Sequence, residues 1–221
     1  MNKITPTADG SNTLFNETIG EHYHSKHGAV QESKHVFIEA GLKYVARHQS
    51  SINILEVGFG TGLNFLFTLD HCINEQLQLN YTGIEAFPLS LEELQSTGYQ
   101  RYVPDPVWNG LENNYALALN GAVHITPEQQ LYIAHTTLAN FTSAPLFDLI
   151  YFDAFSVQHQ PEMWSDEIIA HVAAFLKAGG VFVTYAITGR LKRALKAVGF
   201  TIEKLPGAPG KREMLRATKA L

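Results

Sequence analysis

The run Ile54–Gly62, ILEVGFGTG, constrains the fold more than any other stretch of this chain. An apolar segment, Ile52–Val57, stops at Gly58, three glycines follow at alternate positions, and a second apolar segment, Leu63–Ile73, resumes. A short apolar run bounded by glycine reads as a strand buried on both faces, and the longer run after it as a helix packed on the sheet. Glycine permits the tight strand-to-helix turn and lets a ligand approach the backbone closely. The first amides of that helix, around Leu63 and Asn64, favour a negatively charged group.

The alternation continues downstream. The pattern predicts strands at Leu79–Ile84, Leu131–Ala134, Asp148–Asp153 (DLIYFD) and Gly180–Tyr185. It predicts helices at Pro88–Ser96, Met163–Leu176 and Gly189–Val198, and a closing hairpin of Phe200–Leu205 and Met214–Ala217. Residues 1–34 read as loop with short extended pieces, and His35–His48 as an amphipathic helix. Residues 99–127, rich in Pro, Gly and Asn, read as an insertion with helix around Trp108–Leu119. The expected architecture is a single α/β domain over residues 1–221. Residues 1–50 form an N-terminal loop and helix extension, and 51–221 a Rossmann-like core. Its sheet is mostly parallel and seven-stranded, covered by helices on both faces and ending in a C-terminal antiparallel hairpin. Ligands in such sheets bind beyond the carboxyl ends of the strands.

A chain of 221 residues is long enough for one such core, and 45% hydrophobic with 17% charged residues excludes a disordered chain. The lone cysteine, Cys72, excludes an internal disulfide and is expected as a small buried group on a helix. No apolar run reaches the length of a membrane span, and the start MNKITPTADGSN lacks the apolar core of a signal peptide. A cytoplasmic protein is therefore expected. The net charge of −5 is unevenly spread. Residues 177–221 hold ten Lys/Arg against Glu203 and Glu213, whereas the first 176 residues hold six basic and nineteen acidic groups. That basic end is either a face for a polyanion or a solvated terminus.

The glycine spacing separates possible cofactors. A dinucleotide fingerprint needs G-x-G-x-x-G, and counted from Gly58 its third position falls on Leu63. Gly58, Gly60 and Gly62 instead follow G-x-G-x-G with the acidic Glu56 ahead of them, which resembles class I S-adenosylmethionine methyltransferases. Glu85, 25 positions after Gly60 at the end of the next strand, can accept both ribose hydroxyls of an adenosine; the alternative is a charge at a helix start before Pro88. Glu56, Gly58, Gly60, Gly62, Asn64 and Glu85 are thus the expected cofactor set. Beyond the third core strand, Ala134-His135-Thr136 offers no carboxylate for an adenine amine.

After the fourth strand, Asp153-Ala154-Phe155 is followed by Gln160-Pro161-Glu162-Met163-Trp164. This combination resembles the bacterial methyltransferases that finish 5-methylaminomethyl-2-thiouridine at the tRNA wobble position, whether as the methyltransferase half of MnmC or as the stand-alone MnmD type. Glu32-Ser33-Lys34-His35-Val36-Phe37, Gly58–Leu66 and Lys211-Arg212-Glu213-Met214-Leu215 extend the resemblance over nearly the whole chain. It implies transfer of one methyl group from S-adenosylmethionine to the primary amine of 5-aminomethyl-2-thiouridine in a tRNA anticodon stem-loop, without a metal. No FAD-binding oxidoreductase half follows Leu221, so the stand-alone form is expected, with an upstream enzyme on a separate chain supplying the aminomethyl uridine.

Asp153 is the expected catalytic residue. Positive charge develops on the attacking nitrogen, and a carboxylate beside it favours the transition state over the ground state. A carboxylate of ordinary pKa is a poor base toward an alkylammonium, so binding and orienting the amine is its expected role; a helix cap is the alternative. Phe155 and Trp164 are candidate walls of a base pocket, with Trp164 alternatively a core residue. Lys211 and Arg212 are candidate contacts to phosphates or the anticodon loop, or else solvated charges. The resemblance also brings Tyr23 and Ser25 near the cofactor crevice. His22, His24 and His27 lie close together, but no Cys or Asp completes a metal set. Rival readings are a class I methyltransferase acting on a small amine or a protein, an aminopropyltransferase, and a non-catalytic RNA-binding protein that kept the fold. The aminopropyltransferase would need acidic residues that the loop AFSVQHQ lacks.

Overall fold

The computed structural model describes residues 2–144 and 146–221. The chain opens with a small antiparallel sheet of β1 (Asn2–Pro6), β2 (Asn12–Asn16) and β3 (Glu21–His22), in the order β1-β2-β3. The expected extended pieces therefore pair with one another. Their polar sequence hides this because β2 buries only Thr13 and Leu14, while β1 is mostly exposed. Helical backbone then runs from 29 to 46 as α1 (Ala29–Ser33), a π-helical stretch (Lys34–Leu42) and α2 (Lys43–Ala46). It begins six residues before the expected His35, and the added turn buries Glu32 and Ser33.

The main sheet contains β4 (Ser51–Val57), β5 (Gln78–Glu85), β6 (Val123–His124), β7 (Gln129–His135), β8 (Phe147–Phe152), β9 (Leu176–Thr184), β10 (Phe200–Pro206) and β11 (Glu213–Lys219). Their order is β10-β11-β9-β8-β4-β5-β7-β6. From β9 to β7 the neighbours are parallel, β10 and β11 form the antiparallel hairpin, and β11 lies between β10 and β9. All seven expected strands are present. The eighth, β6, adds two residues at the edge, antiparallel to β7. Helices α3 (Leu63–Asn74), α4 (Leu91–Ser96), α5 (Asp105–Ala118), α6 (Asp166–Ala174) and α7 (Gly189–Ala197) complete the chain.

Two elements differ from expectation. Residues 99–127 supply α5, the crossover helix between β5 and β7, rather than a mere insertion. Pro106 is tolerated because it sits in the first turn, where no intrahelical N–H partner is needed. The expected helix Met163–Leu176 is instead a single 3₁₀ turn, Pro161–Trp164, followed by α6 capped by Ser165, whose Oγ accepts from the Ile168 amide at 3.2 Å. Leu176 already belongs to β9.

Apolar clusters fill both faces of the sheet, and Ile52, Ile54, Leu55, Leu149, Ile150 and Phe182 are fully buried. Cys72 lies in the core, where burial pushes its thiol up to about 12. Among the described residues, no helix is long and apolar enough to cross a membrane. Strand β4 pairs with β5 on one side and β8 on the other, so the chain reverses direction across the sheet there. The crevice outside the carboxyl ends of β4, β5 and β8 is the place the fold offers a ligand.

Candidate active site

The glycine loop hangs from β5: the amides of Gly58 and Phe59 donate to the Ile84 carbonyl at 3.0 and 3.1 Å. Gly58 has φ +86°, and a Cβ there would stand 2.7 Å from the Asp153 carbonyl oxygen. Gly60 has φ +52°, and its Cβ would press on the Tyr23 ring at 3.0 Å. Only glycine meets both demands, positive φ and close approach. Gly62, with φ 73°, is the N-cap of α3. The loop borders a cavity of about 440 Å³, walled also by the segments that follow β5, β7 and β8.

Glu85 closes β5 at this cavity. Its Oε2 accepts from the Gly60 amide at 2.9 Å and its Oε1 from the Phe87 amide at 3.0 Å, so the carboxylate is fixed with lone pairs left for a diol. Phe87 stands beside it on the cavity wall, 80% exposed. Sequence reasoning missed Phe87, although a large aromatic between the acidic residue and Pro88 was a usable signal. Thr136, Thr137, Leu138 and Ala139 also line the cavity, while His135 borders a different surface hollow.

Glu56 does not reach the cavity, which corrects its expected direct contact with a cofactor. It is fully buried beneath the loop, accepting from Tyr81 Oη at 2.7 Å and from Asn64 Nδ2 at 2.8 Å. Burial pushes its pKa well above the carboxylate range, against the effect of those two bonds. Asn64 is the connector. Its Nδ2 also donates to Asp153 Oδ2 at 2.8 Å, while its Oδ1 accepts from Ser33 Oγ at 2.5 Å. The amide is thereby locked in one orientation, with a carboxylate on each N–H.

Asp153 follows the last residue of β8, its own amide donating to the Val57 carbonyl at 3.0 Å. Its side chain lines the cavity. Desolvation and the neighbouring charge of Glu32 push its pKa up to about 7, while Asn64 and Lys211 hold it down. The expectation of an ordinary carboxylate is therefore corrected: Asp153 titrates near neutrality.

A second cavity of about 370 Å³ shares Tyr23, His24, Ala154 and Phe155 with the first. Tyr23 meets Phe155 edge-on at 5.1 Å, and burial pushes its phenol up to about 12. Ser25 lines the second cavity only, and its amide donates to Glu32 Oε1 at 3.0 Å. Lys211 lines this second cavity: its ammonium donates to Glu32 Oε2 at 2.8 Å and lies 3.6 Å from the centre of the Tyr185 ring. Trp164 is 2% exposed and cannot stack on a base; its Nε1 donates to the Phe155 carbonyl at 2.7 Å and so fixes Phe155. Arg212 is exposed. The basic end is partly paired within the fold, with Arg190 on Asp166 (3.0 Å) and Arg216 on Glu203 (2.7 Å).

The histidines near the N-terminus do not converge. His24 is buried against Thr61 Oγ1 at 2.7 Å, and burial lowers its pKa to about 4, whereas His27 is exposed. Among the described residues, no group of three His, Cys, Asp or Glu is arranged to hold a metal ion.

This arrangement, a glycine loop and a fixed carboxylate around a cavity with a second cavity beside it, invites comparison with known proteins. A family model described as S-adenosyl-L-methionine-dependent methyltransferase matches residues 105–220. The chain belongs to that family. Its cofactor is S-adenosylmethionine, and the residues present fit it: the loop has room only for glycine, and Glu85 is held ready for a diol. Among relatives of this methyltransferase is a protein of Paracidovorax citrulli named tRNA 5-methylaminomethyl-2-thiouridine biosynthesis bifunctional protein MnmC, 31% identical over 93% of this chain and 34% of the relative. A protein of the same name from Leptospira borgpetersenii is 30% identical over 97% of this chain and 33% of the relative. The chain spans about a third of the length of the curated relatives it matches. The crystal structure of MnmC2 from Aquifex aeolicus superposes with a TM-score of 0.77 at 25% identity, covering 100% of this chain and 72% of that one. A magnesium protoporphyrin IX methyltransferase from Synechocystis, with bound S-adenosylmethionine, shares the fold at a TM-score of 0.51 and 12% identity, covering 81% of this chain and 76% of that one.

Proposed function

We propose that this methyltransferase acts on tRNA, methylating the primary amine of 5-aminomethyl-2-thiouridine at the wobble position to give 5-methylaminomethyl-2-thiouridine. The observation that carries this reading is Asp153: it lines the first cavity, immediately before the Ala154–Phe155 segment common to both cavities. A cofactor in the first cavity and an amine entering from the second would meet there. The names of the MnmC relatives supply the acceptor's identity.

When bound, S-adenosylmethionine supplies an electrophilic methyl group on a cationic sulfur. The residues that would hold it are Glu85, whose free lone pairs suit the ribose hydroxyls, Gly58 and Gly60, which leave room for a close approach, and Phe87 with Thr136–Ala139, which would offer the adenine a wall. Tyr23 covers the loop from the N-terminal side. Asp153 orients the acceptor amine and favours the positive charge that develops on its nitrogen. Because it titrates near neutrality, it is also able to take the proton that the methylated nitrogen sheds. Residues that hold the amine toward the methyl group would lower the entropic cost of the transfer. Phe155, braced by Trp164, flanks the base. Arg212, with Arg193 and Lys196 on the exposed side of α7, meets the phosphates of the anticodon stem-loop. An acceptor of this kind sets the work in the cytoplasm and requires an upstream activity that installs the aminomethyl group.

The test is incubation of the purified protein with methyl-labelled cofactor and tRNA from cells lacking the methylation step, followed by nucleoside analysis. Label in 5-methylaminomethyl-2-thiouridine supports the reading. Label in another nucleoside, or in protein or small amines only, overturns it.

A further inference from the structure

The Lys211–Glu32 pair has no part in the roles assigned above, yet it lies at the junction of everything that surrounds Asp153. Glu32 sits in α1, 5% exposed, with both carboxylate oxygens engaged: one by the Ser25 amide of the segment that covers the site, the other by Lys211. Lys211 comes from the turn between β10 and β11, at the far edge of the sheet. Its ammonium also faces the Tyr185 ring, and Tyr185 Oη donates to the Ala154 carbonyl at 2.9 Å, one residue from Asp153. Four separate segments of the chain are thus tied together at one ion pair, and a carboxylate and an ammonium of opposite sign both bear on Asp153.

We propose that Lys211 and Glu32 are positioning residues for the methyl acceptor: their ion pair sets the charge balance at Asp153 and, through Tyr185, the placement of the Asp153–Phe155 segment that receives the amine. This rests on the reading of Asp153 as the amine-binding group. A surface lysine reaching for phosphate has no reason to be half-buried over a tyrosine ring and bonded to a buried carboxylate. A purely structural ion pair has no reason to stand in the wall of the acceptor cavity, where its two charges act on the same third group with opposite sign. The other ionisable groups facing Asp153 come from every element around it. They are Glu56 on β4, Tyr81 on β5, Tyr99 in a 3₁₀ turn (Tyr99–Tyr102) that precedes α5, and Tyr185 after β9. Among the described residues that act on Asp153, Glu32 and Lys211 stand as a pair of opposite charges that one substitution each can unbalance.

The test compares Glu32→Gln, Lys211→Met, the double variant and Lys211→Arg, each first shown to bind S-adenosylmethionine by calorimetry. Two readouts are taken. The first is the acid limb of kcat/KM for the aminomethyl-uridine tRNA. The second is the titration of the Asp153 carboxyl carbon by NMR in protein carrying labelled aspartate, assigned with Asp153→Asn, which needs no acceptor. Lys211→Met should move both upward and Glu32→Gln both downward, by about one pH unit each. The double variant should return toward wild type, and Lys211→Arg should restore it. Shifts of the same sign in both single variants, or activity loss with no shift in either readout, overturn the proposal. If wild-type protein methylates no tRNA while the carboxyl titration shifts as expected, the acceptor assignment fails and the charge balance at Asp153 stands.

Discussion

Replacing Asp153 by asparagine should abolish methyl transfer and at the same time stabilise the fold at alkaline pH. The side chain keeps an oxygen to accept from Asn64 Nδ2, so the local bonding survives while the charge is removed. The carboxyl has a folded pKa of about 7, well above the 3.8 of an ordinary aspartate. A raised folded pKa for an acid means that the ionised form is disfavoured by folding. The penalty is absent below the unfolded value, grows as pH rises through the window, and is complete above the folded value. That rise corresponds to roughly 4 kcal/mol for a group sealed from water. Asp153 faces the crevice, where solvent screens it, so about half of that, ~2 kcal/mol, is expected above about pH 8. For a domain of this size that is a rise of about 4–8 °C in Tm. Thermal denaturation of both proteins across about pH 4 to pH 8.5 reads it directly. The variant's advantage should vanish toward about pH 4. A pH-independent difference, or a variant less stable at alkaline pH, would refute the account of Asp153 as a strained, ionisable group held for function.

Further substitutions separate the remaining roles. Glu85→Ala removes the acceptor held by the Gly60 and Phe87 amides and should weaken S-adenosylmethionine binding about 10–100-fold in calorimetry, with little change in Tm. Gly58→Ala combines positive φ with a 2.7 Å clash against the Asp153 carbonyl, so it should lose about 2 kcal/mol or more of stability and most cofactor binding, read by denaturant titration and calorimetry. Trp164→Phe keeps the packing but frees the Phe155 carbonyl; it should cost about 1 kcal/mol and lower kcat, while tRNA affinity is unchanged. Arg212→Ala should weaken tRNA binding and reduce the slope of log Kd against log salt by about one, with methyl transfer at saturation intact.

The glycine loop, its flanking strand and helix, and the DLIYFD strand were legible because they depend on local chemistry: an apolar period, a turn that needs glycine, an acidic residue where a strand ends. Glu85 was legible for the same reason. Glu56 was misjudged because an acidic residue just before the glycines reads alike whether it faces a ligand or, as here, bonds Tyr81 and Asn64 below the loop. Glu32 and Lys211 were illegible as a pair. Each alone is an ordinary charge, on a helix start and in a basic tail, and only the sheet order that brings the last hairpin beside β9, together with the fold of the helical segment 29–46, joins them. The N-terminal sheet was legible only as extended pieces, because short strands carrying Asn, Thr and Lys lack the apolar alternation that marks a core strand.

The central claim is that the acceptor is the aminomethyl group of the wobble uridine. Two anticodon stem-loops of the same sequence, one carrying 5-aminomethyl-2-thiouridine and one carrying unmodified uridine, test it most directly when each is mixed with the protein and S-adenosylmethionine and followed by mass spectrometry. The account predicts the gain of a single methyl on the aminomethyl nucleoside, lost in Asp153→Asn, and none on the unmodified stem-loop. Equal methylation of both, or of neither while S-adenosylmethionine binding is intact, would contradict it.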